Sequence, residues 1–286
     1  MRAAKGSPTA FAMHSDAADY ADFLPRLEAV TREAGRIALS YFRPGQRTAA
    51  AISYKHGGSP VTEADYAVDR FLFEEMRKLA PDAGWLSEET ADSEDRLARE
   101  RLIIVDPIDG TSAFTRGDDR WSVSIALVAR GRPTVGVVHA PALGETFAAA
   151  SGLGAFLNGA PLMAPQRAAL EGAAVIAPRM LHEAIAAQPQ NFILAPRTPS
   201  LALRLVDIAA GRHDMVIAAP NARDWDIAAA DVILAEAGAA LREPEGAPLV
   251  YNRRTLARGM LIAASAPLMN DSLALARTVS KGSFEI

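Results

Sequence analysis

Among the places where acidic residues stand together, three adjoin the end of a predicted strand or the start of a predicted helix, and one of these begins where the apolar run 102–105 ends. That run predicts a strand buried on both faces, and Pro107 prevents its ladder of hydrogen bonds from continuing. A turn at this point can direct the carboxylates of Asp106 and Asp109 and the Ile108 carbonyl into one cleft. Hard cations prefer such oxygen clusters. The spacing therefore predicts a metal site, although Asp-Pro and Asp-Gly pairs are also common in ordinary turns.

Three backbone N–H groups come directly after these aspartates, on Gly110, Thr111 and Ser112. If a helix begins here, its first N–H groups have no partner within the helix. Phosphate binds well to such groups, because the positive end of the helix dipole lies there. The segment thus combines a predicted cation site with a predicted phosphate site.

The other two acidic places are Glu88-Glu89 and Asp224-Trp225-Asp226. Neighbouring carboxylates repel each other unless a cation or solvent screens them. Each place also has a plainer interpretation, a solvated acidic loop for the glutamates and a helix N-cap for the aspartates. Three acidic places in one chain nevertheless favour a shared cation site over three unrelated local features.

Two more charged residues precede these places, each with a plain structural explanation. Asp65 lies three residues after Thr62, which is the spacing of a capping box at a helix start. Lys55 lies in a polar connector, where a lysine is most often an ordinary exposed residue. Neither residue predicts chemistry by its position alone.

The overall composition narrows the chemistry. The chain has 286 residues, is 50% hydrophobic and carries a net charge of -4, so it lacks the basic field that binds a nucleic-acid polymer. Because it has no cysteine, disulfides, thiolate nucleophiles and cysteine-ligated metals are excluded. No two of its five histidines stand at a metal-ligand spacing. Any bound metal must therefore have oxygen ligands, which favours Mg²⁺, Mn²⁺ or Ca²⁺.

The beginning of the chain predicts neither export nor membrane insertion. Residues 1–15 contain no continuous apolar run, so we expect a flexible N-terminal extension rather than a secretory signal. No stretch approaches the roughly 20 apolar residues that a membrane span needs. A cytoplasmic protein without a membrane partner is expected.

Hydrophobic periodicity predicts mixed α and β structure in two parts. An amphipathic helix over 22–42 and a second helix from Thr62 precede the buried strand, and a meander of short strands follows it. From about residue 160, strands and helices alternate instead. We expect an α+β subdomain over 16–159 and an α/β subdomain over 160–286 that completes the active site.

Several segments match a known set of motifs. In order along the chain they are SPVTEAD at 59–65, SEET at 87–90, DPIDGTSAF at 106–114, AFLNG at 155–159 and WDIAAA at 225–230. Together they resemble the inositol monophosphatase superfamily of Mg²⁺-dependent, lithium-sensitive phosphatases, over roughly residues 22–238. One motif would be suggestive, whereas several in the same order argue against chance. The resemblance implies a layered αβαβα sandwich, as in inositol monophosphatases and fructose-1,6-bisphosphatases.

The resemblance also implies two to three Mg²⁺ ions and a ligand set. In that family a first metal is held by residues matching Glu88, Asp106 and the Ile108 carbonyl. A second is held through Asp106, Asp109 and Asp226, and a weaker third uses Glu88 and solvent. Mn²⁺ would replace Mg²⁺, whereas Ca²⁺ or Li⁺ would inhibit.

The implied reaction is hydrolysis of a small phosphate monoester by a metal-activated water. Residues matching Thr111 and Asp65 help to activate that water, and Glu88 completes the implied catalytic set. Ser87 replaces a usual glycine and is expected to alter only the turn. The expected substrate-binding residues are Asp109, Gly110, Thr111, Ser112 and Asp226, together with Arg197 and Arg223 as candidates.

The residues expected to contact the leaving group of the substrate differ from the family pattern. Inositol-specific members have an acidic residue seven positions before the aspartate of the Trp-Asp pair, and this chain has Ala219 there. The usual Gly-Ser/Thr-Ala helix opening is replaced by Thr198-Pro199-Ser200. Arg197, Arg223 and Asp224 are candidates to line the rebuilt pocket, where an arginine can hold a second phosphate through paired hydrogen bonds.

Three functions stay open on this basis. The first is an inositol monophosphatase or a broad sugar phosphatase. The second is a 3′(2′),5′-bisphosphate nucleotidase that acts on 3′-phosphoadenosine 5′-phosphate. The third is a catalytically inactive regulatory homologue, which is disfavoured because every metal carboxylate is present. The family is often dimeric, so a homodimer is also implied, although no stripe in the sequence identifies an interface.

Overall fold

The computed structural model describes residues 9–55 and 57–281, and the side chains of residues 19–55 and 57–281. Its helices are α1 (Thr9–Tyr41), α2 (Glu63–Leu79), α3 (Thr111–Arg116), α4 (His182–Ala186), α5 (Leu201–Ala209), α6 (Asp224–Glu236) and α7 (Met269–Val279). Its first strands are β1 (Ile52–Tyr54), β2 (Pro60–Thr62), β3 (Gly84–Ser87), β4 (Arg101–Asp109), β5 (Ser122–Ala129), β6 (Arg132–Ala140) and β7 (Glu145–Ala150). The others are β8 (Gly154–Leu157), β9 (Ala160–Leu162), β10 (Ala174–Ile176), β11 (Ile193–Leu194), β12 (Met215–Ala218), β13 (Ala239–Arg242) and β14 (Leu261–Ser265).

Helix α1 is longer than the apolar stripe predicts. It begins at Thr9 rather than at residue 22, so Pro25 lies well inside the helix. Residues 9–15 of the predicted extension are therefore helical, whereas residues 1–8 lie outside the described residues. The added turns are rich in alanine, which favours helix without adding to an apolar stripe. Neither α1 nor any other helix of the described chain has the length and apolarity needed to cross a bilayer.

Two large sheets form the framework. The first has the order β3-β4-β5-β6-β7-β8-β9, and the second has the order β11-β10-β12-β14-β13. In the first sheet β3 and β4 are parallel and the later neighbours are antiparallel. The predicted buried strand and meander both lie in this sheet. Because β9 still pairs with β8, the first sheet extends to Leu162, and the subdomain boundary at 159 stays a prediction.

Helices and sheets alternate in five layers. Helices α1 and α2 cover one face of the first sheet, α5 and α6 lie between the two sheets, and α7 packs on the outer face of the second. One hydrophobic cluster lies between α1, α2 and the first sheet, a second surrounds α5 and α6 between the two sheets, and a third lies between the second sheet and α7. Each sheet is therefore apolar on both faces. The predicted αβαβα sandwich is confirmed.

Helix α6 lies so deep between the sheets that it is buried almost all round. Its alanines allow close approach to β6, where a Cβ on Gly136 would lie 2.6 Å from a methyl carbon of Val232 and 2.7 Å from the Ala229 carbonyl oxygen. Glycine is therefore required at position 136 by space alone. The tight contact fixes the middle of α6 against β6.

Candidate active site

Strand β4 and helix α6 bring three aspartates together. The pairing of β4 with β5 shifts register between Asp106 and Asp109. Residues three apart on a regular strand face opposite sides, whereas an irregularity of this kind redirects the side chains. Asp226 is the third residue of α6. One carboxylate oxygen from each of the three lies within 4.8 Å of the others.

The electrostatics of this aspartate cluster fit a divalent cation. Burial raises the pKa of Asp106 well above its usual range, and the charges of Glu88 and Asp109 raise it further. Burial also raises the pKa of Asp226 well above normal, with Asp109 as the next cause. The pKa of Asp109 is raised by burial even though its hydrogen bonds act in the opposite direction. A cation among these oxygens would remove the repulsion, and carboxylate oxygens are the ligands that Mg²⁺ and Mn²⁺ prefer.

We expect the metal-free protein to lose stability as the pH rises from about 6.5, the ordinary pKa of histidine, through the raised pKa values of Asp106 and Asp226. A carboxyl group whose pKa is raised by folding binds more protons in the native state, so the free energy of unfolding falls until the pH passes the raised pKa. Below this window His139 acts oppositely, because burial lowers its pKa to about 4. The expected fall is about 1.4 kcal/mol for each pH unit over which one carboxyl group is protonated only in the native state.

Urea unfolding in the presence of a chelator at both ends of this window would measure the fall. Excess Mg²⁺ should abolish it, because a bound cation favours the ionised carboxylates. Equal stability at both pH values in the absence of metal would contradict the raised pKa values.

Asp109 also fixes the start of α5. Its Oδ2 accepts hydrogen bonds from the Ser200 hydroxyl and the Ala202 N–H, both at 2.6 Å, and its Oδ1 accepts one from the Leu201 N–H at 3.2 Å. Ser200 in turn accepts from the Leu203 N–H as the N-cap of α5. The altered helix opening therefore supports a metal-site carboxylate directly, a connection that the sequence analysis missed.

A backbone hydrogen bond at the start of α6 holds the Asp226 carboxylate in a similar way. The Arg223 N–H donates to Asp226 Oδ2 at 2.6 Å. The Arg223 side chain is exposed and does not line the cleft beside the aspartates, so its role in substrate binding stays a prediction. Asp224 is fully buried and accepts two hydrogen bonds from the Arg258 guanidinium, at 2.8 and 2.5 Å. The expectation that Asp224 lines the pocket is wrong, because this buried ion pair turns it into the interior.

Glu88 and Glu89 are joined by Lys55. The Lys55 ammonium donates to one oxygen of each glutamate at 2.7 Å. Burial alone would lower the pKa of Lys55, but the hydrogen bonds and charges of the two glutamates outweigh it and raise that pKa. Glu88 lies outside the aspartate cluster but acts electrostatically on Asp106. Lys55 thus supplies the positive charge that adjacent carboxylates need, which its loop position gave no reason to expect.

The loop that carries these glutamates is tied to helix α2. The Ser87 hydroxyl donates to Asp69 Oδ1, and the Thr90 hydroxyl donates to Asp69 Oδ2 at 2.7 Å. Both Ser87 and Asp69 are buried. Ser87 therefore does more than alter a turn, because its side chain fixes the residue directly before Glu88.

Replacing Ser87 by alanine should lower the free energy of unfolding by about 1–3 kcal/mol, because the buried Asp69 carboxylate loses a donor. Urea denaturation would measure the loss. Ser40→Ala is the matched control, since its hydroxyl donates to the Ile37 carbonyl in an exposed position, and it should change stability by less than about 0.5 kcal/mol. Equal small effects in both variants would show that the Ser87 hydrogen bond does not hold the loop.

Thr111 and Asp65 form a hydroxyl–carboxylate pair at the start of α3. The Thr111 hydroxyl lies 3.0 Å from the Ile108 carbonyl oxygen and 3.4 Å from Asp65 Oδ1. The other carboxylate oxygen of Asp65 accepts from the Thr62 N–H and hydroxyl, which confirms the predicted capping box. Burial raises the pKa of Asp65 to about 6. The Asp65 carboxylate can therefore receive a proton near neutral pH through an oxygen that Thr62 leaves free.

Gly110 places the start of α3 against α5. Its φ is +92°, and a Cβ there would lie 3.1 Å from the Ser200 nitrogen, so both the backbone conformation and the space require glycine. The N–H groups of Gly110, Thr111 and Ser112 precede the first helical hydrogen bonds. Among the described residues, no turn or loop carbonyl accepts from them. They remain available to an anion beside the aspartate cluster.

A cleft of about 270 Å³ opens beside Asp109 and Asp226. Its walls include Pro178, Pro199, Leu201, Ala218, Ala219, Pro220, Asn221 and Ala222. Two arginines also line it: Arg197, which is exposed, and Arg204, which is only 7% exposed. The sequence analysis named Arg197 and missed Arg204. One feature of the sequence could have identified Arg204: it is the single arginine within the otherwise mostly apolar helix α5.

Known proteins match this chain over most of its length. The chain matches the profile of the Inositol monophosphatase family over residues 19–281. It is 31% identical over 240 residues to inositol monophosphatase 3 of Solanum lycopersicum, covering 80% of this chain and 90% of that protein. It is 32% identical over 234 residues to the 3′(2′),5′-bisphosphate nucleotidase CysQ of Aggregatibacter actinomycetemcomitans, covering 78% of this chain and 86% of that protein.

The fold agrees as well. A solved IMPase structure from Thermotoga maritima has a TM-score of 0.78 and 28% sequence identity, covering 90% of this chain and 98% of that one. The resemblance drawn from the motifs is thus confirmed by sequence and by structure. The chain belongs to the inositol monophosphatase family, a family of phosphoric monoester hydrolases.

Proposed function

We propose that this protein is a Mg²⁺-dependent phosphatase that hydrolyses the phosphate monoester of a small hydroxylated molecule. The observation that carries the proposal is the convergence of Asp106, Asp109 and Asp226 beside the Thr111–Asp65 pair. The three aspartates would hold the cations, with Glu88 and the Ile108 carbonyl as further ligands. When bound, the cations would neutralise phosphoryl oxygens and provide Lewis-acid activation.

The chain's own residues supply the remaining parts. The Thr111 hydroxyl orients the attacking water, and the Asp65 carboxylate stabilises that hydroxyl and accepts the proton. The N–H groups of Gly110, Thr111 and Ser112 bind the phosphoryl oxygens as negative charge develops. No covalent nucleophile is needed, in agreement with a chain that has no cysteine.

Two substrate classes compete within this function. Relatives named as inositol monophosphatases favour an inositol phosphate or a related sugar phosphate. A relative named as a 3′(2′),5′-bisphosphate nucleotidase and the two arginines in the cleft favour 3′-phosphoadenosine 5′-phosphate. Ala219 removes the acidic residue expected for strict inositol recognition. Replacement of Mg²⁺ by Mn²⁺, inhibition by Ca²⁺ or Li⁺, a homodimer and a cytoplasmic location also remain predictions.

Phosphate release from inositol 1-phosphate and from 3′-phosphoadenosine 5′-phosphate, measured side by side as kcat/KM, tests this function. The enzyme should be stripped with a chelator and assayed before and after addition of Mg²⁺. We expect release from at least one substrate only with Mg²⁺. No release from either substrate, or from a wider panel of small phosphomonoesters, would favour the inactive regulatory homologue.

A further inference from the structure

We propose that Arg258 is a positioning residue for the aspartate cluster, because its buried guanidinium fixes Asp224 at the start of α6 and so sets the direction of Asp226. Arg258 itself does not line the cleft beside the aspartates, so it would act only through the helix. The inference deepens the function proposed above and rests on it, because it assigns how this chain orients one carboxylate of the expected metal site.

The first support is the ion pair between Arg258 and Asp224. Arg258 is 3% exposed and Asp224 is fully buried. The guanidinium donates to Asp224 Oδ1 from Nε at 2.8 Å and from Nη2 at 2.5 Å, and Nη2 also donates to the Val250 carbonyl oxygen at 2.8 Å. Burying two charges is costly, and an apolar pair of similar volume is often at least as stable. The directional bonds of this pair are therefore explained better by geometry than by stability.

The second support is the geometry of the helix that follows. Asp224 and Asp226 are the first and third residues of α6. Successive side chains of an α-helix are rotated by about 100°, so residues two apart point to nearly opposite sides. Asp224 lies in the interior, whereas Asp226 lines the cleft. Holding Asp224 inward thus sets the rotation of α6 that directs Asp226 toward the other two aspartates.

A further contact fixes the same face of α6. The Arg258 guanidinium carbon lies 4.9 Å from the centroid of the Tyr251 ring, and the Tyr251 hydroxyl donates to Asp231 Oδ2 at 2.9 Å. Asp231 lies about two turns beyond Asp224, so the two residues share one face of the helix. The segment 250–258 therefore holds α6 at two points along its length, which opposes rotation of the helix.

The backbone of Arg258 holds the segment before α6 as well. Its N–H donates to the Ala222 carbonyl oxygen, and its own carbonyl oxygen accepts from the Asn221 N–H, both at 2.8 Å. Asn221 and Ala222 line the cleft. These two bonds do not depend on the side chain, so they can survive its replacement. Side-chain variants of Arg258 should therefore alter the metal site more than the wall of the cleft.

Binding of Mn²⁺ to the full chain, stripped of metal with a chelator, tests the positioning role apart from turnover. Arg258→Lys keeps the charge but loses the forked contacts to Asp224 and Val250. We expect its dissociation constant for Mn²⁺, measured by isothermal titration calorimetry, to rise by about 10- to 100-fold, the range for residues that orient a metal ligand. The half-saturating Mg²⁺ concentration for phosphate release should rise similarly. At saturating Mg²⁺, kcat should stay within about threefold of the wild type, because the reacting groups are unchanged.

Arg96→Lys is the matched control. Arg96 is also 3% exposed. Its guanidinium donates to both carboxylate oxygens of Asp92, at 2.6 and 2.9 Å, and to the Arg253 carbonyl oxygen at 3.0 Å. None of these three residues lines the cleft beside the aspartates. The control should lose stability through its own buried ion pair, but its dissociation constant for Mn²⁺ should equal that of the wild type.

A double variant that combines Asp224→Leu with Arg258→Met separates positioning from stability. It removes both charges and leaves no buried group unpaired, so its Tm should be higher than that of Arg258→Met alone. Its affinity for Mn²⁺ should nevertheless stay weakened, because the directional bonds are still absent. The double variant also serves if Arg258→Lys does not fold.

Two outcomes would overturn the positioning role. One is a wild-type dissociation constant for Mn²⁺ in both Arg258→Lys and the double variant, and the other is an equal rise in Arg96→Lys. Failure of the underlying function looks different, because then the wild type itself would bind no Mn²⁺ and release no phosphate with Mg²⁺.

Discussion

Replacing Asp106 by asparagine is expected to lower kcat/KM by about 1,000-fold or more, because the metal site loses a charged ligand that supplies several kcal/mol of transition-state stabilisation. Asp106 is a sharper test than Asp109, whose carboxylate also accepts three hydrogen bonds at the start of α5. The protein hydrogen bond recorded for the Asp106 carboxylate comes from the Ile108 N–H at 3.1 Å. Steady-state phosphate release over a range of Mg²⁺ concentrations would measure the loss.

The fold of the Asp106→Asn variant should survive. The substitution removes one of three mutually repelling carboxylates, so the metal-free protein should be as stable as the wild type or more stable. Mg²⁺ should stabilise the variant less than the wild type. Asp95→Asn, an exposed aspartate outside the cluster, is the matched control and should keep full activity. Turnover near the wild-type value in Asp106→Asn would contradict the metal assignment.

Replacing Thr111 by alanine is expected to lower kcat by about 100-fold with KM changed by less than about threefold, the range for a group that assists proton transfer. The hydroxyl orients the attacking water, whereas the backbone N–H groups that bind phosphate remain in place. Thr111→Ser should recover much of the activity, because it restores the hydroxyl that faces Asp65.

Thr115→Ala is the control for this prediction. Thr115 lies in the same short helix, and its hydroxyl donates to the Ser112 carbonyl rather than to Asp65. Both kcat and KM should be close to those of the wild type. If Thr111→Ala changed KM and left kcat intact, Thr111 would be a binding residue and the proton-transfer role would be wrong.

Local patterns in the sequence predicted the features that depend on neighbours in the chain. The buried strand over 102–105 and the Thr62–Asp65 capping box both follow from periodicity and spacing over a few residues. The predicted strand end was wrong, because β4 continues past Pro107 and pairs again at Asp109. The layered fold followed from the order of the motifs. Asp226 was placed in the site by the family resemblance, since its own surroundings predict only a helix N-cap.

Long-range contacts explain what the sequence did not reveal. Asp109 caps α5 from about ninety positions away, and Lys55 binds Glu88 and Glu89 across 33 and 34 positions. The buried pair between Asp224 and Arg258 joins the start of α6 to the segment before β14. None of these pairs produces a periodic pattern in the sequence, because each depends on how the layers pack and not on how a single helix or strand forms. Arg204 was overlooked for the same reason, since only the packed structure shows that its helix lines the cleft.

The most direct test of this account is an anomalous difference map from crystals of the protein soaked in Mn²⁺. The account predicts Mn²⁺ bound among the carboxylates of Asp106, Asp109 and Asp226, at oxygen distances normal for such a cation. The same crystals of Asp106→Asn should show a weakened or absent peak there. Well-ordered crystals of the wild type with no metal among these three aspartates, or with Mn²⁺ held only at other residues, would contradict it.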